Sequence, residues 1–541
     1  MMDLFVVQKQ HESLHLNYYF NGEALENKCS KSTRTNSSPY YNKAPFFLRM
    51  LQYLITHDVF REGVHKYIKR HASDSTTVPN NLWAAMQDAL HENSQNEYKE
   101  NIHNLTYLMS SWIKQKHYPV VTIKRHVDDT VSMQLESYIP TDMRDTLMIP
   151  VTFTSQSHPN FNHTSYKNVK WLSSVLHNWP IVKFPLYFEE NGWIIANLKQ
   201  ANYYRVNYDS ENWDKIANYL NSSNYTEIHV LNRAQIIDDS FHLAIQGLQD
   251  YSLFWKISSY LSRETDYIAW YPMFKALEYI SSIFPFENEK RVQDIKDFLN
   301  NIFDGLFTKI EYLSNDTDNE FTKYLKQEAR RWACTLNHNE CLIQAYNKMG
   351  QYADKSRTHM NPWEREWTFC QGFKSVDIYT LKQASYIMLH DFGGQAMMFM
   401  SCVRKIPINN EFFEIVNLLR YDRAKMTDKI FLFYSVIAKH ARDPKTLDFI
   451  LSEFYNIKPS QINTEAALIV IINNIYSDEE SRKVISFLIQ DDNINRCLKN
   501  IIRFKIKLRA SQIKTQKNYF LRLKFAENII YNNNIHHNNK T

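Results

Sequence analysis

The chain has 541 residues, 44% of them hydrophobic and 14% aromatic, with a formal net charge of +5. That length excludes a single ordinary core and implies two to four domains, and the composition excludes disorder over most of the chain. The longest unbroken apolar run, Ala466 to Ile472, is far below a membrane span. Leu4-Phe5-Val6-Val7 is too short for a signal core, and no hydrophobic C-terminal tail signals a lipid anchor.

Residues 1–36 lack periodicity and read as irregular. They contain His11-Glu12-Ser13-Leu14-His15, which fits a zinc-protease pattern of two histidines four apart with a glutamate base between them. Such chemistry needs a solid helix, a third ligand and a rigid wall. Leu16-Asn17-Tyr18-Tyr19-Phe20-Asn21-Gly22 continues a helix poorly, and the third ligand's usual position, a Glu nineteen residues after the second His, is Arg34. His11, Glu12 and His15 therefore read as a coincidental match on a loop, with no metal site.

At Tyr41-Asn42-Lys43-Ala44-Pro45 the sequence turns helical, with Leu48, Leu51, Leu54 and Ile55 at helical spacing. The pattern predicts helices over 45–56 and over 57–71, the second capped by Asp58. A third follows Asn80-Asn81, and a fourth carries Leu105, Leu108, Met109, Trp112 and Ile113 until Tyr118-Pro119 ends it. After Pro119 short β-branched or alternating runs predict a small β domain, a sandwich, over about 119–210. From Trp213 to about 510 the pattern is helical with no strand signal, which favours helix pairs stacked as a solenoid. The fold class is thus mainly α: a helical half-domain (1–118), a β-sandwich (119–213), a large HEAT-like superhelical domain (214–515) and a polar basic tail (516–541).

From Asn493 onward there are eleven Lys or Arg and one acidic residue, Glu527. Arg503, Lys505, Lys507 and Arg509 alternate with Phe504, Ile506 and Leu508 and read as the wet side of a final element rather than a nucleic-acid or lipid patch. Asp238-Asp239, near Arg233 and Gln235, reads as cap and salt-bridge chemistry at helix ends. His338 lies between Cys334 and Cys341, which read as structural cysteines that bridge a helix–helix turn if the compartment is oxidising. Six Asn-x-Ser/Thr triplets, at Asn36, Asn104, Asn162, Asn221, Asn224 and Asn315, are consistent with a glycoprotein and with an Asn-rich composition alike. Gly393-Gly394 has no strand before it to make a phosphate loop, and no nucleophile motif appears.

Several stretches in order carry a resemblance. They are Tyr41-Asn42-Lys43-Ala44-Pro45, Asp58-Val59-Phe60-Arg61-Glu62-Gly63, Asn81-Leu82-Trp83, Tyr203-Tyr204-Arg205-Val206-Asn207-Tyr208-Asp209, Asn232-Arg233-Ala234-Gln235-Ile236-Ile237-Asp238-Asp239 and Glu264-Thr265-Asp266-Tyr267. The chain resembles the membrane alanyl aminopeptidase (aminopeptidase N) family, insect-type zinc exopeptidases, almost from end to end. The resemblance implies an ERAP-like helical C-terminal domain and disulfides Cys334–Cys341 and Cys370–Cys402. It implies that Tyr41 is the family's oxyanion stabiliser. The family's metal helix and amine-binding loop lie well before that tyrosine, so His11 and His15 do not correspond to its ligands.

Two expectations follow. One is a truncated homologue, catalytically inactive as written, with no cofactor and with residual peptide binding or scaffolding. The alternative is a zinc-dependent metalloaminopeptidase represented by an incomplete gene model. Peptides are the expected partners, nucleic acid is not, and a membrane would be reached only through anchors of the parent. The lineage is extracellular or plasma-membrane, while this sequence fixes neither location nor oligomeric state.

Overall fold

The computed structural model describes residues 2–19, 39–73, 76–93, 104–115, 117–126, 130–137, 147–173, 182–185, 192–286, 288–312, 317–354, 360–393, 396–403, 405–408, 411–414 and 426–521. The chain divides into two compact units, one running to Leu277 and the other starting at Glu278. The class is mainly α, as the sequence pattern predicts.

In the first unit, α1 (Met2–Phe5), a π-helical turn (Val6–Gln10) and α2 (His11–Tyr19) follow one another directly. This corrects the expectation of an irregular stretch with the His11–His15 motif on a loop. The reason is tertiary: Val6 and Val7 pack with Leu231, Ala234 and Ile268, and buried packing stabilises a helix that local periodicity does not announce. The next helices are α3 (Pro39–Ile55), α4 (His57–His71), α5 (Pro79–Asn93) and α6 (Leu105–Lys114). The N-cap of α4 is Thr56, at φ 76°, and its side chain makes no capping bond; Asp58 sits inside the first turn. Gly63 of α4 lies against α5, where an added Cβ would come within 2.3 Å of Met86 Sδ. Asn104 caps α6 by accepting from the Tyr107 N–H.

The β region centres on β1 (Val120–Arg125), which pairs antiparallel with β2 (Thr130–Ser137) and parallel with β8 (Arg205–Tyr208). β6 (Val182–Pro185) completes a four-stranded sheet in the order β6-β2-β1-β8. Two further ladders pair β3 (Met148–Val151) with β5 (Lys170–Ser173) and β4 (Phe153–Ser155) with β7 (Ile194–Ala196). β5 is a strand that the sequence pattern did not announce. Asp209 then caps α7 (Ser210–Leu220). It is followed by α8 (Val230–Ile245), α9 (Tyr251–Ser258) and α10 (Tyr267–Ile280), the last of which crosses into the second unit.

The second unit is built from α11 (Lys290–Ile310), α12 (Glu320–Thr335), α13 (Asn339–Ala353), α14 (Pro362–Ser375), α15 (Ile378–Phe392), α16 (Ala396–Met400) and α17 (Met426–His440). α18 (Pro444–Ser452), α19 (Phe454–Ile457), α20 (Thr464–Asn473), α21 (Asp478–Gln490) and α22 (Arg496–Leu521) complete it. One continuous apolar cluster runs from Met349 through Phe433 and Leu468 to Ile506. A hairpin of β9 (Lys405–Ile408) and β10 (Glu411–Glu414) interrupts the helices. It corrects the expectation of a helical pattern with no strand signal from Trp213 to about 510. The final basic stretch is helical. Arg503 and Lys507 are exposed, Ile506 is buried, and Arg509 lies over the Tyr476 ring at 4.9 Å. Both expected bridges are present, with Cα–Cα distances of 5.3 Å for Cys334–Cys341 and 5.0 Å for Cys370–Cys402.

Trp112 is 1% exposed and donates from Nε1 to the Met148 carbonyl at 3.1 Å, tying α6 to β3. Trp112→Ala is expected to cost about 3–5 kcal/mol, read as a lower urea midpoint in near-ultraviolet circular dichroism. An unchanged midpoint would show that α6 is not part of this core.

Candidate functional site

Every residue of α8 from Leu231 to Ile245 is buried, so its polar side chains must find partners inside the protein. Asp238 and Asp239 lie in the interior of this helix. That corrects their placement at helix ends, and their cation is not Arg233. Arg233 Nε instead donates to Glu264 Oε2 at 2.7 Å. The partner is Arg205, the first residue of β8 and fully buried, whose Nη1 donates to Asp238 Oδ2 at 2.6 Å and Asp239 Oδ1 at 2.8 Å. Asp239 Oδ2 also accepts from the Val206 N–H at 3.0 Å and from Gln235 Nε2 at 3.1 Å. On its other side the guanidinium lies over the Tyr118 ring at 5.3 Å.

Three histidines surround this group. His11 Nδ1 is 3.6 Å and His242 Nε2 is 3.5 Å from Asp238 Oδ1, and the His15 ring centroid is 5.0 Å from that of His242. Burial would depress the Arg205 guanidinium, but Asp238, Tyr118 and Asp239 outweigh it and hold it above its usual range. Burial likewise pushes Asp238 up, yet Arg205, His11 and His242 pull it well below the ordinary carboxylate range. Burial, with Asp238 beside it, pushes Asp239 up to about 7. His242 is driven down to about 3 by burial and Arg205, and burial also lowers His11 and His15. At neutral pH the rings are neutral, so their contacts with Asp238 are polar rather than ionic.

A second constellation holds α3, the helix that carries Tyr41. Its backbone is helical at Tyr41, while that side chain lies outside the described residues. Pro45, inside the same helix, has no N–H to give the Tyr41 carbonyl. Lys43 is buried, donates to the Gln115 carbonyl at 3.0 Å, and is pushed down to about 8 by burial. Two turns past Tyr41, Arg49 donates to the carbonyls of Gln200 (2.5 Å) and Lys199 (2.9 Å). Those carbonyls face it because Asn197, Lys199 and Gln200 hold φ values of 57°, 52° and 48°, left-handed conformations that cost about 1–2 kcal/mol each for non-glycine residues. The turn is secured by Asn232, which accepts from the Lys199 N–H and donates to the Asn197 carbonyl. Gln10 Nε2 donates to the carbonyls of Gln200 and Asn202, and Phe46 stacks on Tyr203 with centroids 5.9 Å apart.

His11 and His15 stand four residues apart on α2, as a zinc pair requires. The surroundings do not fit the ion. His11 Nε2 is 2.6 Å from Gln200 Oε1, and the nearest carboxylate, Asp238, is already neutralised by Arg205. A dication beside that guanidinium would meet repulsion of several kcal/mol. Among the described residues no three His, Cys, Asp or Glu side chains are grouped to hold a metal ion. His338 Nδ1 accepts from the Glu340 N–H and its Nε2 is 2.9 Å from Asp304 Oδ1, so it caps α13 rather than joining Cys334 and Cys341 as ligands.

The second unit has a cavity of about 860 Å³ with Glu366, Lys374, Arg442 and both Cys370 and Cys402 in its lining. No described helix is long and apolar enough to cross a membrane.

An ERAP1-like C-terminal domain matches residues 193–502, and a peptidase family M1 domain matches residues 2–112. The chain therefore carries an ERAP1-like helical C-terminal domain after a segment of the peptidase M1 family. The chain belongs to the aminopeptidase N-like branch of that family. It is 27% identical over 479 residues to an aminopeptidase N of Plutella xylostella, covering 85% of this chain and 48% of that protein. A membrane alanyl aminopeptidase of Heliothis virescens is 24% identical, covering 70% of this chain and 39% of the relative. The thyrotropin-releasing hormone-degrading ectoenzyme of Mus musculus is 25% identical, with 62% and 32% covered. The chain thus spans about half the length, or less, of these relatives.

Sequence reasoning reached the two disulfides through resemblance. It missed Arg205, His242, Arg49 and Gln200. The available signal was a lone charged residue, Arg205, in the otherwise uncharged run Tyr203–Tyr208, which must be paired if the strand is buried.

Arg205→Met is expected to destabilise the fold by about 3–5 kcal/mol by leaving two buried carboxyls without their cation. In urea titrations Arg205→Lys should restore only part of this, since one ammonium lacks the planar fork. A pH effect follows too. Below about 6.5 the unfolded chain protonates His242, which the folded chain holds neutral down to about 3; His11 and His15, also lowered by burial, act in the same sense, so each makes stability rise with pH. Asp239 acts oppositely between about 4 and 7, where the folded form holds the proton that the unfolded form releases. His229, also lowered by burial, adds to the histidine side, and with the histidines outnumbering Asp239 the urea midpoint should rise from pH 5 to pH 6.5. A flat or falling profile would contradict the neutral-histidine assignment.

Proposed function

We propose that this 541-residue chain binds peptides without hydrolysing them on its own, acting as a peptide-holding or scaffolding member of the aminopeptidase N-like family. The observation that carries this reading is the engagement of His11 with Gln200 and of Asp238 with Arg205. These side chains serve a structural polar core. On this reading the His11-Glu12-Ser13-Leu14-His15 motif is a coincidental match. Peptide binding is supported by the relatives' names and by the polar cavity of the second unit. The proposed division keeps 1–118, 119–213 and 214–515 as domains and 516–541 as a tail, with the membrane reached through the parent lineage rather than through these residues.

A second reading is favoured by the M1 match over residues 2–112 and by the partial coverage of the relatives. Here the chain contributes to a zinc aminopeptidase whose metal centre is supplied by further sequence. The family is zinc-dependent, and Tyr41 would donate a hydrogen bond to the developing oxyanion. A phenol alone has no hydrolytic route near neutral pH, so Tyr41 supplies only stabilisation.

The two readings separate when zinc per chain and hydrolysis of an alanyl reporter are measured together with a peptide titration in the presence of chelator. We expect zinc far below one per chain, no hydrolysis and a saturable peptide signal. Tyr41→Phe should leave that signal unchanged. Stoichiometric zinc with hydrolysis that falls about 10²–10³-fold in Tyr41→Phe would establish the second reading, and absence of saturable binding would end the first.

A further inference from the structure

Two disulfides lie close in the second unit, and their surroundings differ. Cys334 and Cys341 are buried, at 3% and 0% exposure, among Tyr312, Ala345 and Trp367. Cys370 of α14 and Cys402, just past α16, are each half-buried, and both line the 860 Å³ cavity, which Cys334 also borders while its partner Cys341 does not. Lys439 of α17 reaches them from the same cavity wall. Its Nζ donates to Cys402 Sγ at 3.1 Å, to Ser401 Oγ at 2.9 Å and to the Met398 carbonyl at 3.3 Å, and lies 4.0 Å from Cys370 Sγ. The ammonium is thus aimed at one sulfur of the pair, from a position fixed by two oxygen acceptors.

We propose that Cys370–Cys402 is a thiol–disulfide exchange site, opened by small thiols entering the cavity, with Cys402 as the leaving sulfur and Lys439 as its positioning cation. An external thiolate attacks Cys370 Sγ, the S–S bond breaks, and its electron pair moves to Cys402 Sγ, which leaves as a thiolate against the Lys439 ammonium. A nearby cation lowers a thiol's pKa, and a sulfur of lower pKa leaves faster. The product is a mixed disulfide on Cys370. When the reagent is a dithiol, its second sulfur attacks the reagent sulfur of that mixed disulfide and releases Cys370. One dithiol is oxidised to a disulfide, and its two protons end on the two cysteines. Burial brings Lys439 down to about 8, which still leaves it mostly protonated at pH 7. Opening the bond releases the covalent tie between α14 and the segment after α16. Cys334–Cys341, buried, resists the same reagent.

The test uses the intact folded chain at pH 7. Dithiothreitol is added, thiols are trapped with N-ethylmaleimide at timed points, and labelled peptides are quantified by mass spectrometry. Cys370 and Cys402 should be labelled about tenfold sooner than Cys334 and Cys341. With glutathione and an acid quench, the mixed disulfide should sit on Cys370. Lys439→Met should slow opening about tenfold with the Cys334–Cys341 rate unchanged, and Lys439→Arg should keep most of the wild-type rate. Equal opening of the two bridges, a mixed disulfide on Cys402, or an undiminished rate in Lys439→Met would overturn the proposal. The glutathione arm needs no substitution, so it decides the matter even if Lys439→Met does not fold.

Discussion

The fully buried guanidinium of Arg205, held between Asp238 and Asp239, is the constraint around which the first unit is assembled. It joins the start of β8 to the middle of α8, and through Asp238 it reaches His11 on α2. One cation cannot offset two full negative charges at this depth. Even at an effective dielectric of 20 a close like-charge pair repels by about 4 kcal/mol. The protein resolves this unequally: Asp238 is held well ionised while Asp239 is pushed up to about 7. The surrounding histidines stay neutral chiefly because they are buried, and a positive ring would also be repelled by Arg205. The result is a nearly balanced polar core whose value lies in fixing which strand meets which helix.

The strained turn at Asn197–Gln200 carries that order outward. Its left-handed residues expose the two carbonyls that Arg49 takes up, and Arg49 belongs to the helix that bears Tyr41. Local backbone cost is offset by the hydrogen bonds of Asn232, Gln10 and Arg49, a distribution of strain often found beside functional positions. The Tyr41 helix is therefore anchored at its far end on the β region, while Lys43 ties its near end to the close of α6.

Much of this architecture was legible from periodicity. α4 spans the residues its spacing predicts, the switch to strands follows Pro119, and the second unit is dominated by helices. The failures share a cause. The π-helical turn and α2 bury Gln10, His11 and Ser13 beside Leu14, so their inward face is largely polar there and a hydrophobic pattern does not register it. The Asp238–Asp239 pair reads as surface chemistry until a distant strand delivers Arg205, thirty-odd residues away in sequence and unmarked by any local signal. The β9–β10 hairpin hides behind a proline that usually means a break. The disulfides came from family resemblance; spacing alone left Cys334 and Cys341 open between bridge and free thiols.

Gly63, pressed against Met86, has a mechanical consequence for the α4–α5 hairpin. With no side chain on α4 at that point, Met86 of α5 rests directly on the α4 backbone, and a relative slide or roll of the helices would disturb this contact. The two helices must travel together as a single stiff lever.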